Sequence, residues 1–262
     1  MGSPRTLLFI PTYNERENVA NIHAQIRALG IDMDILFIDD ASPDGTGDIL
    51  DAIARSDPRL TVVHRTGKQG IGTAHLAGIR HAYAKGYTTL ISMDCDLTHD
   101  PDRIPEFIAA ASRAELVVGS RFALRDGVAD WNLLRKSLTR IGHFLTTVVL
   151  RVPYDATGAF RLYRLDRIDP AVFDLVTSKS YSFFFESMYL LCRTGVHVTE
   201  IPMRLPKRTY GHSKMTVRDV LKSVEMLVAL YIRSFRQGGA IDAQGRRQRA
   251  RRAADELGAG PV

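Results

Sequence analysis

Two aspartates one residue apart, Asp94 and Asp96 in "SMDCDLTHDP", follow directly on the apolar run "YTTLIS". Side chains at i and i+2 share one face of a strand, and a turn just past the strand end can aim both at one hard cation that keeps open coordination sites. Oxygen donors so placed suit Mg²⁺ or Mn²⁺ carried on a diphosphate. The same residues also read as a capped turn, with Asp96 or Asp100 capping a helix that begins near Pro101. Zinc is disfavoured, because Cys95 has no second Cys or His at ligand spacing nearby.

A second acidic loop, "IDDASPDGTGDIL", sets Asp39, Asp40 and Asp44 ahead of glycines and a helix. Carboxylates after such a strand can accept hydrogen bonds from ribose hydroxyls and base N–H groups; the stretch also fits a plain turn capped by Asp44 and Thr46. In "PTYNERENV", Pro11, Tyr13 and Glu15 can flank a base, while "NERENV" equally suits a helix start. The glycines of "GKQGIGTAHLAG" match neither GxGxxG nor the Walker pattern GxxxxGK[ST], so a nicotinamide or ATP site lacks its signature. Lys68 in that loop can face ligand or solvent, and solvent is the expectation.

What must position these loops is an alternation of apolar runs and helical patterns: "TLLFI", "ENVANIHAQIRALG", "DILFID", "GDILDAIARS", "LTVVHR", "GTAHLAGIRHAYAKG", "TTLISMD", "RIPEFIAAASR" and "ELVVGS". The alternation predicts an α/β fold, a Rossmann-like, mostly parallel sheet with helices on both faces. Ligands of such sheets bind beyond the carboxyl ends of the strands, where "PTYNE", "DDASPDGT", "DCD" and "GSR" all fall. Further on come a long mixed helix in "WNLLRKSLTRIGHFLTTVVLRV", then "YDATGAFRLYRLDRI", "SFFFESMYLLCRTG", a strand "HVTEIPMRL", a basic loop "PKRTYGHSKM" and a closing helix "TVRDVLKSVEMLVALYIRSF". Residues 1–236 are expected to form one catalytic domain with amphipathic helices at its end. Residues 237–262, rich in Gly, Ala and Arg, are expected to be a basic, disordered, solubilising tail.

The 262 residues, 45% of them hydrophobic, suffice for one large domain. Thirty-five Lys and Arg against 29 Asp and Glu leave a formal net charge of +6, which suits an anionic partner: nucleic acid, a phosphorylated ligand or a membrane surface. Two cysteines, Cys95 and Cys192, form no disulfide framework and point to a reducing compartment. Without a signal-like leader or any spanning apolar segment, the expected location is the cytoplasm, with peripheral membrane contact.

The ordered set "IPTYNERENV", "IDDASPDGTGDI", "GKQGIGTAHLAG", "MDCDLTHDP", "VVGSRF", "NLLRKSLTRIG" and "RTYGHSKM" resembles the family 2 glycosyltransferases, and within them the dolichol and polyprenol phosphate mannose synthases. The match covers roughly residues 5 to 235. It implies a GT-A fold, a GDP-mannose donor, a divalent metal (Mg²⁺ or Mn²⁺), a polyprenyl monophosphate acceptor and inversion at the anomeric carbon. By that resemblance Pro11, Tyr13, Glu15 and Asp39 or Asp40 hold the nucleoside, and Asp94 and Asp96 bind the metal on the diphosphate. Arg208 and Lys214 close over the donor phosphates, and Arg121 and Arg135 grip the acceptor phosphate. Asp44 and Lys68 complete the candidate donor site.

Departures from the family pattern are informative. Thr98 and His99 stand where the synthases commonly carry Gln-His or Ser-His, which leaves Thr98 as a candidate extra metal contact. Many relatives that glycosylate hydroxyl groups carry a Glu-Asp pair after the acceptor segment, whereas "FFFESMY" gives Glu186 followed by Ser187. Glu186 stays a candidate sugar-binding or base residue. A phosphate monoester is already ionised near neutral pH and needs no base, which agrees with a lipid phosphate acceptor. Asp155 of "DATGAFRLYR" reads as a residue that fixes its loop.

The expected activity is therefore metal-dependent, inverting transfer of mannose from GDP-mannose to a polyprenyl phosphate. The chain would lie peripherally on the cytoplasmic face of a membrane, alone or through a membrane-protein partner, with no role for nucleic acid. Transfer of glucose or another hexose from a UDP or GDP donor, to lipid phosphate or to a hydroxyl, is the competing enzyme reading. A basic module that binds RNA or membrane without catalysis explains the charge, but not acidic pairs at several strand ends.

Overall fold

The computed structural model describes residues 5–124, 133–204, 225–232 and 245–248, the side chains of 133–139 excepted. Strands and helices alternate through the first half: β1 (Thr6–Thr12), α1 (Val19–Ala28), β2 (Asp34–Asp39), α2 (Thr46–Ser56), β3 (Leu60–His64), α3 (Ile71–Ala84), β4 (Thr89–Ser92), α4 (Ile104–Ala110) and β5 (Leu116–Ser120). Then follow α5 (Leu133–Val149), β6 (Arg161–Arg164), α6 (Phe183–Arg193) and β7 (Val198–Pro202). The seven strands form one sheet in the order β3-β2-β1-β4-β6-β5-β7.

The near-continuous apolar runs of the first strands are those of a sheet covered on both faces. Along β1, Leu7 and Phe9 join one core with residues of α3 and α6, while Leu8 and Ile10 join the other with residues of α1, α2 and α4. Each such side chain contributes roughly 1.5–3 kcal/mol of burial. The two-residue period of the strand thus fixes which helices lie on which face.

Parallel pairing joins β1 with β2 and β4, β2 with β3, and β5 with β7. β6 is the exception, antiparallel to both of its neighbours, β4 and β5. No strand is expected there from the sequence, because "RLYR" carries two arginines where a buried strand should be apolar. The reversal matters for the site. Since β6 runs backwards, its amino-terminal side, residues 155–160, emerges at the same edge as the carboxyl ends of the other strands: Ser92 pairs with Arg161, and Val118 with the same residue.

Two expectations are revised. The helix near Pro101 is capped by Asp100, whose carboxylate accepts the Asp102 N–H at 3.0 Å, so Asp96 is not that cap. Within the tail expected to be disordered, residues 245–248 are helical and Gln248 is buried; its Oε1 accepts the Asp169 N–H (3.0 Å) and its Nε2 donates to the Arg167 carbonyl (2.7 Å). The rest of 237–262 lies outside the described residues.

Candidate active site

Three of the loops that follow strands at the common edge each hold a non-glycine residue in the left-handed region: Asn14 (φ 55°) after β1, Ala41 (φ 54°) after β2 and Leu97 (φ 60°) after β4. Each such conformation costs about 1–3 kcal/mol and persists only where surrounding bonds dictate it. Here those bonds come from the polar motifs themselves.

After β1, half-buried Pro11 pairs in register with Ile38, and the loop is then tied to the one after β2: the Asn14 N–H donates to Ser42 Oγ (2.9 Å) and the Glu15 N–H to Thr46 Oγ1 (2.9 Å). Glu15 accepts from Asn18 Nδ2 at 2.7 Å, closing the turn into α1. Asp39 is fully engaged in shaping the second loop. It accepts from Thr12 Oγ1 (3.0 Å), from the Ser42 N–H (2.9 Å) and from Ser42 Oγ (2.5 Å). Asp44 accepts from the Thr46 N–H and Oγ1 and from the Arg16 N–H. Burial works against its charge, but these donors prevail and hold its pKa below the usual carboxylate value.

Asp40 differs. It is buried against Arg65 in a 2.7 Å ion pair and accepts the Gln69 N–H at 3.3 Å. Burial raises its pKa above the usual range, with Arg65 opposing. The loop after β3 that supplies Arg65 also supplies Lys68, which is exposed yet holds its ammonium 4.2 Å from the centre of the Tyr13 ring. Lys68 is therefore not merely a solvent-facing residue. Tyr13, Asp40, Arg65 and Lys68 form one cluster built from three strand ends.

After β4 the two aspartates have distinct settings. Asp94 keeps 29% of its side chain exposed, and its N–H donates to His99 Nδ1 (2.9 Å), which leaves the ring proton on Nε2. Asp96 is buried, and its Oδ1 accepts from both the N–H (3.1 Å) and Oγ1 (2.6 Å) of Thr98. In this structure the Thr98 hydroxyl donates to Asp96 and so fixes that carboxylate. Among the described residues no group of three His, Cys, Asp or Glu side chains could by itself hold a metal ion. The donor set fits a hard cation reached through Asp94 and backed by Asp96, its remaining positions filled by ligand oxygens.

Arg121, just past β5, donates from its backbone N–H (3.1 Å), Nε (2.9 Å) and Nη2 (2.8 Å) to Asp155 in the loop before β6, and from Nη2 also to Thr157 Oγ1. Burial alone would push the Asp155 carboxyl up, yet the Arg121 guanidinium and the neighbouring donors hold its pKa at about 2. Desolvation opposes the Arg121 charge, and Asp155, with Asp94 adding, keeps its pKa above the ordinary value. Gly158 lets this loop lie on β5, for a Cβ there would stand 2.7 Å from the Gly119 carbonyl oxygen. Arg161, fully buried, donates to the Ala156 (2.9 Å) and Gly158 (2.7 Å) carbonyls and to Ser187 Oγ (3.0 Å), anchoring the loop to α6.

Glu186 on α6 is fully buried and accepts from the Thr177 N–H and Oγ1 and from the Ser178 N–H. Those bonds make it an anchor for loop 177–178. Arg135 lies in α5, but its side chain, like Arg208 and Lys214 altogether, falls outside the described residues. One residue of the cluster built from the first three strand ends escapes a reading of the sequence, Arg65. Arg65 directly follows a strand, and the strand-end rule applied to β3 would have found it.

The family model described as "Glycosyl transferase family 2" matches residues 8–169. An undecaprenyl-phosphate mannosyltransferase of Micrococcus luteus is 37% identical over 213 residues, 81% of this chain and 88% of the relative. A polyprenol monophosphomannose synthase of Mycolicibacterium smegmatis is 35% identical over 223 residues, 84% of each chain. Among solved structures, glucosyl-3-phosphoglycerate synthase of Mycobacterium tuberculosis superposes with TM-score 0.59 at 15% identity, covering 88% of this chain and 80% of that one. Mannosyl-3-phosphoglycerate synthase of Rubrobacter xylanophilus gives 0.56 at 15%, covering 90% and 75%. These two likenesses establish the fold.

Proposed function

The chain belongs to glycosyltransferase family 2 and is a glycosyltransferase, and we propose that it moves mannose from GDP-mannose to a polyprenyl monophosphate with inversion. The names of the two relatives support mannose and the lipid phosphate. One observation supports the reading: the aspartates Asp94 and Asp96 after β4 and the fixed guanidinium of Arg121 after β5 lie beyond the same sheet edge.

In the proposed reaction an acceptor phosphate oxygen forms the new bond to the anomeric carbon as the bond to the diphosphate breaks, and the electron pair leaves with the nucleoside diphosphate. A divalent cation bound at Asp94 and Asp96, Mg²⁺ or Mn²⁺, would supply the charge neutralisation that the leaving group requires. The residues of the chain do the rest. Tyr13 and Asp40 face the nucleoside, with Lys68 and Arg65 bracing them. Arg121 presents a planar fork to phosphate oxygens. No base is needed, since a phosphate monoester with a second pKa near ~6 is largely ionised at neutral pH. The commitment of Glu186 to loop 177–178 favours such an acceptor over a hydroxyl.

A lipid acceptor requires contact with the bilayer. No helix among the described residues is long and apolar enough to cross a membrane. However, α5 exposes Ile141, Phe144 (63%) and Val148 on one face, and 225–232 exposes Val228, Tyr231 and Ile232. The spacing of the α5 residues is that of a helix lying in an interface. The His143 ring of α5 stacks on Phe122, next to Arg121, at 3.9 Å between centres, so the apolar face belongs to a helix fastened beside the proposed acceptor site.

The test incubates purified protein, Mn²⁺ or Mg²⁺ and a polyprenyl phosphate with labelled GDP-mannose or UDP-glucose, then counts label in the organic extract. Lipid label from GDP-mannose is expected. Label from UDP-glucose alone would overturn the sugar and nucleotide; label only on a soluble hydroxyl compound would overturn the acceptor.

A further inference from the structure

We propose that Glu186 is a positioning residue for the donor side of the site: by fixing residues 177–180 it seats the loop that carries Arg65 and Lys68. The inference rests on the nucleoside pocket proposed above, and it gives Glu186 a task other than that of a base or a sugar ligand.

The first link is the carboxylate. Glu186 is fully buried in α6 and accepts the Thr177 N–H (3.1 Å to each oxygen), Thr177 Oγ1 (2.9 Å) and the Ser178 N–H (2.7 Å). Bonds from amides to an ionised acceptor are about twice as strong as neutral ones, so this stretch takes its course from α6.

The second link is a joint between backbones. The Lys179 carbonyl, one residue on, accepts the Gly72 N–H at 3.1 Å. Two glycines make the approach possible. A Cβ on Gly70 would stand well inside contact distance of that carbonyl oxygen, and one on Gly72 would stand 2.8 Å from both the Ser180 carbonyl oxygen and the Phe183 Cβ. Gly70 also has φ 97°, which side chains disfavour. The glycines of "GKQGIGTAHLAG", which match no phosphate-binding pattern, thus have a use: they let the start of α3 lie directly on residues 179–183.

The third link closes the loop on the donor side. Arg65 pairs with Asp40 at 2.7 Å and donates to Gln69 Oε1 at 2.8 Å, the Gln69 N–H reaches Asp40 at 3.3 Å, and Lys68 holds its ammonium 4.2 Å from the centre of the Tyr13 ring. The loop is therefore held at two places, by Asp40 and by the contact with Lys179 and Ser180. A shift of residues 177–180 passes through Gly70 and Gly72 into Lys68.

The test measures GDP binding by titration calorimetry in the presence of Mn²⁺, the KM for polyprenyl phosphate, and kcat at saturating GDP-mannose. Glu186→Gln keeps the size of the side chain but turns an amide N–H₂ toward groups that donate. It should weaken GDP binding by about five- to tenfold, within the range for a residue that acts through a chain of packed contacts, and leave the lipid KM and kcat within about twofold of the parent. In a Lys68→Ala background the same substitution should weaken GDP binding by no more than about twofold, since Lys68 is the group it seats. A merely structural role would lower the melting temperature and leave the two substitutions additive.

Unchanged GDP affinity in Glu186→Gln with normal parent binding, or full additivity with Lys68→Ala, would overturn the proposal alone. So would a kcat lower by about 10²-fold or more with GDP binding intact, the mark of a lost base. Should Glu186→Gln fail to fold, Thr177→Val decides, because it removes one donor to Glu186 at an exposed position: GDP binding weakened by about two- to threefold with an unaltered lipid KM supports the proposal, and parent-like binding overturns it. A parent protein that binds neither GDP nor UDP would overturn the nucleoside pocket and this proposal together. With a parent that binds UDP alone, the UDP affinities of the same variants decide, and only the assignment of the nucleotide falls.

Discussion

Lys68 places its ammonium 4.2 Å from the centre of the Tyr13 ring, pinning the loop after β3 onto the loop after β1. The Arg65–Asp40 ion pair, at 2.7 Å, pins the same loop to β2. The proposed nucleoside pocket is therefore assembled by contacts between neighbouring loops before any ligand arrives.

That preassembly makes Lys68→Ala a binding variant. The cation–π contact is worth about 0.5–1 kcal/mol at an exposed site. Urea unfolding should show a loss no larger than that, while the KM for the nucleotide sugar rises several-fold and the KM for the lipid does not. An increase confined to the lipid KM would remove Lys68 from the donor side.

Asp94→Ala and Asp96→Ala should each reduce sugar transfer by roughly 10²–10³-fold or more, the scale of losing one electrostatic stabiliser of a departing charge. They should differ in stability. Asp94 is partly exposed, so its loss should leave the melting temperature nearly unchanged, whereas Asp96 organises the Thr98 turn and should cost about 1–3 kcal/mol. Activity of Asp94→Ala near that of the parent would defeat the metal assignment.

His75 gives a pH signature. Its ring is buried among Phe9, Phe183 and Phe184, its Nε2 has no hydrogen-bond partner among the described residues, and burial pushes its pKa down to about 3. Between about 6.5 and that value the unfolded chain binds a proton that the folded chain refuses, so stability falls on acidification through this window, by up to about 1.4 kcal/mol per pH unit. Asp155 behaves in the same sense at lower pH, its stabilisation being lost as pH falls from near 3.8 toward 2. His75→Leu should flatten the dependence between pH 6 and 4 in urea titrations; an unchanged slope would assign it to other groups.

Phe144→Glu and Ile141→Glu test the apolar face of α5. Both positions are exposed, so folding should be affected by less than about 0.5 kcal/mol. Co-sedimentation with liposomes containing anionic lipid should fall, and transfer to long-chain acceptors should fall more than transfer to short, soluble ones. Equal loss on both acceptors would argue against a bilayer contact.

Much of this arrangement was legible in the chain. The apolar runs of β1, β2, β4 and β5 end on the residues that cluster, because a covered parallel sheet puts every such terminus at one edge. What stayed hidden was decided by tertiary bonds. Glu186 looked able to work on a sugar, but its carboxylate is taken by the amides of Thr177 and Ser178, and no spacing rule reveals such a partner. The bond that Thr98 donates to Asp96 is equally hidden from the sequence. β6 was invisible because Arg161, buried through backbone carbonyls rather than a carboxylate, makes a core strand look polar. Gln248, in a segment of low hydrophobicity, docks through two hydrogen bonds instead of apolar burial.

The backward strand β6 also divides the sheet by chain order. On one side lie β1 to β4, all before residue 93; on the other lie β5 and β7, with β6 as the seam between them. In the function proposed above, Tyr13, Asp40 and Lys68 on the nucleotide side come before the seam, whereas Arg121 and the apolar face of α5, on the lipid side, come after it. A hybrid joined near residue 115 should therefore keep the sugar preference of its first parent and take the acceptor preference of its second, so that new pairings of sugar and carrier can arise by recombination without redesign of either pocket.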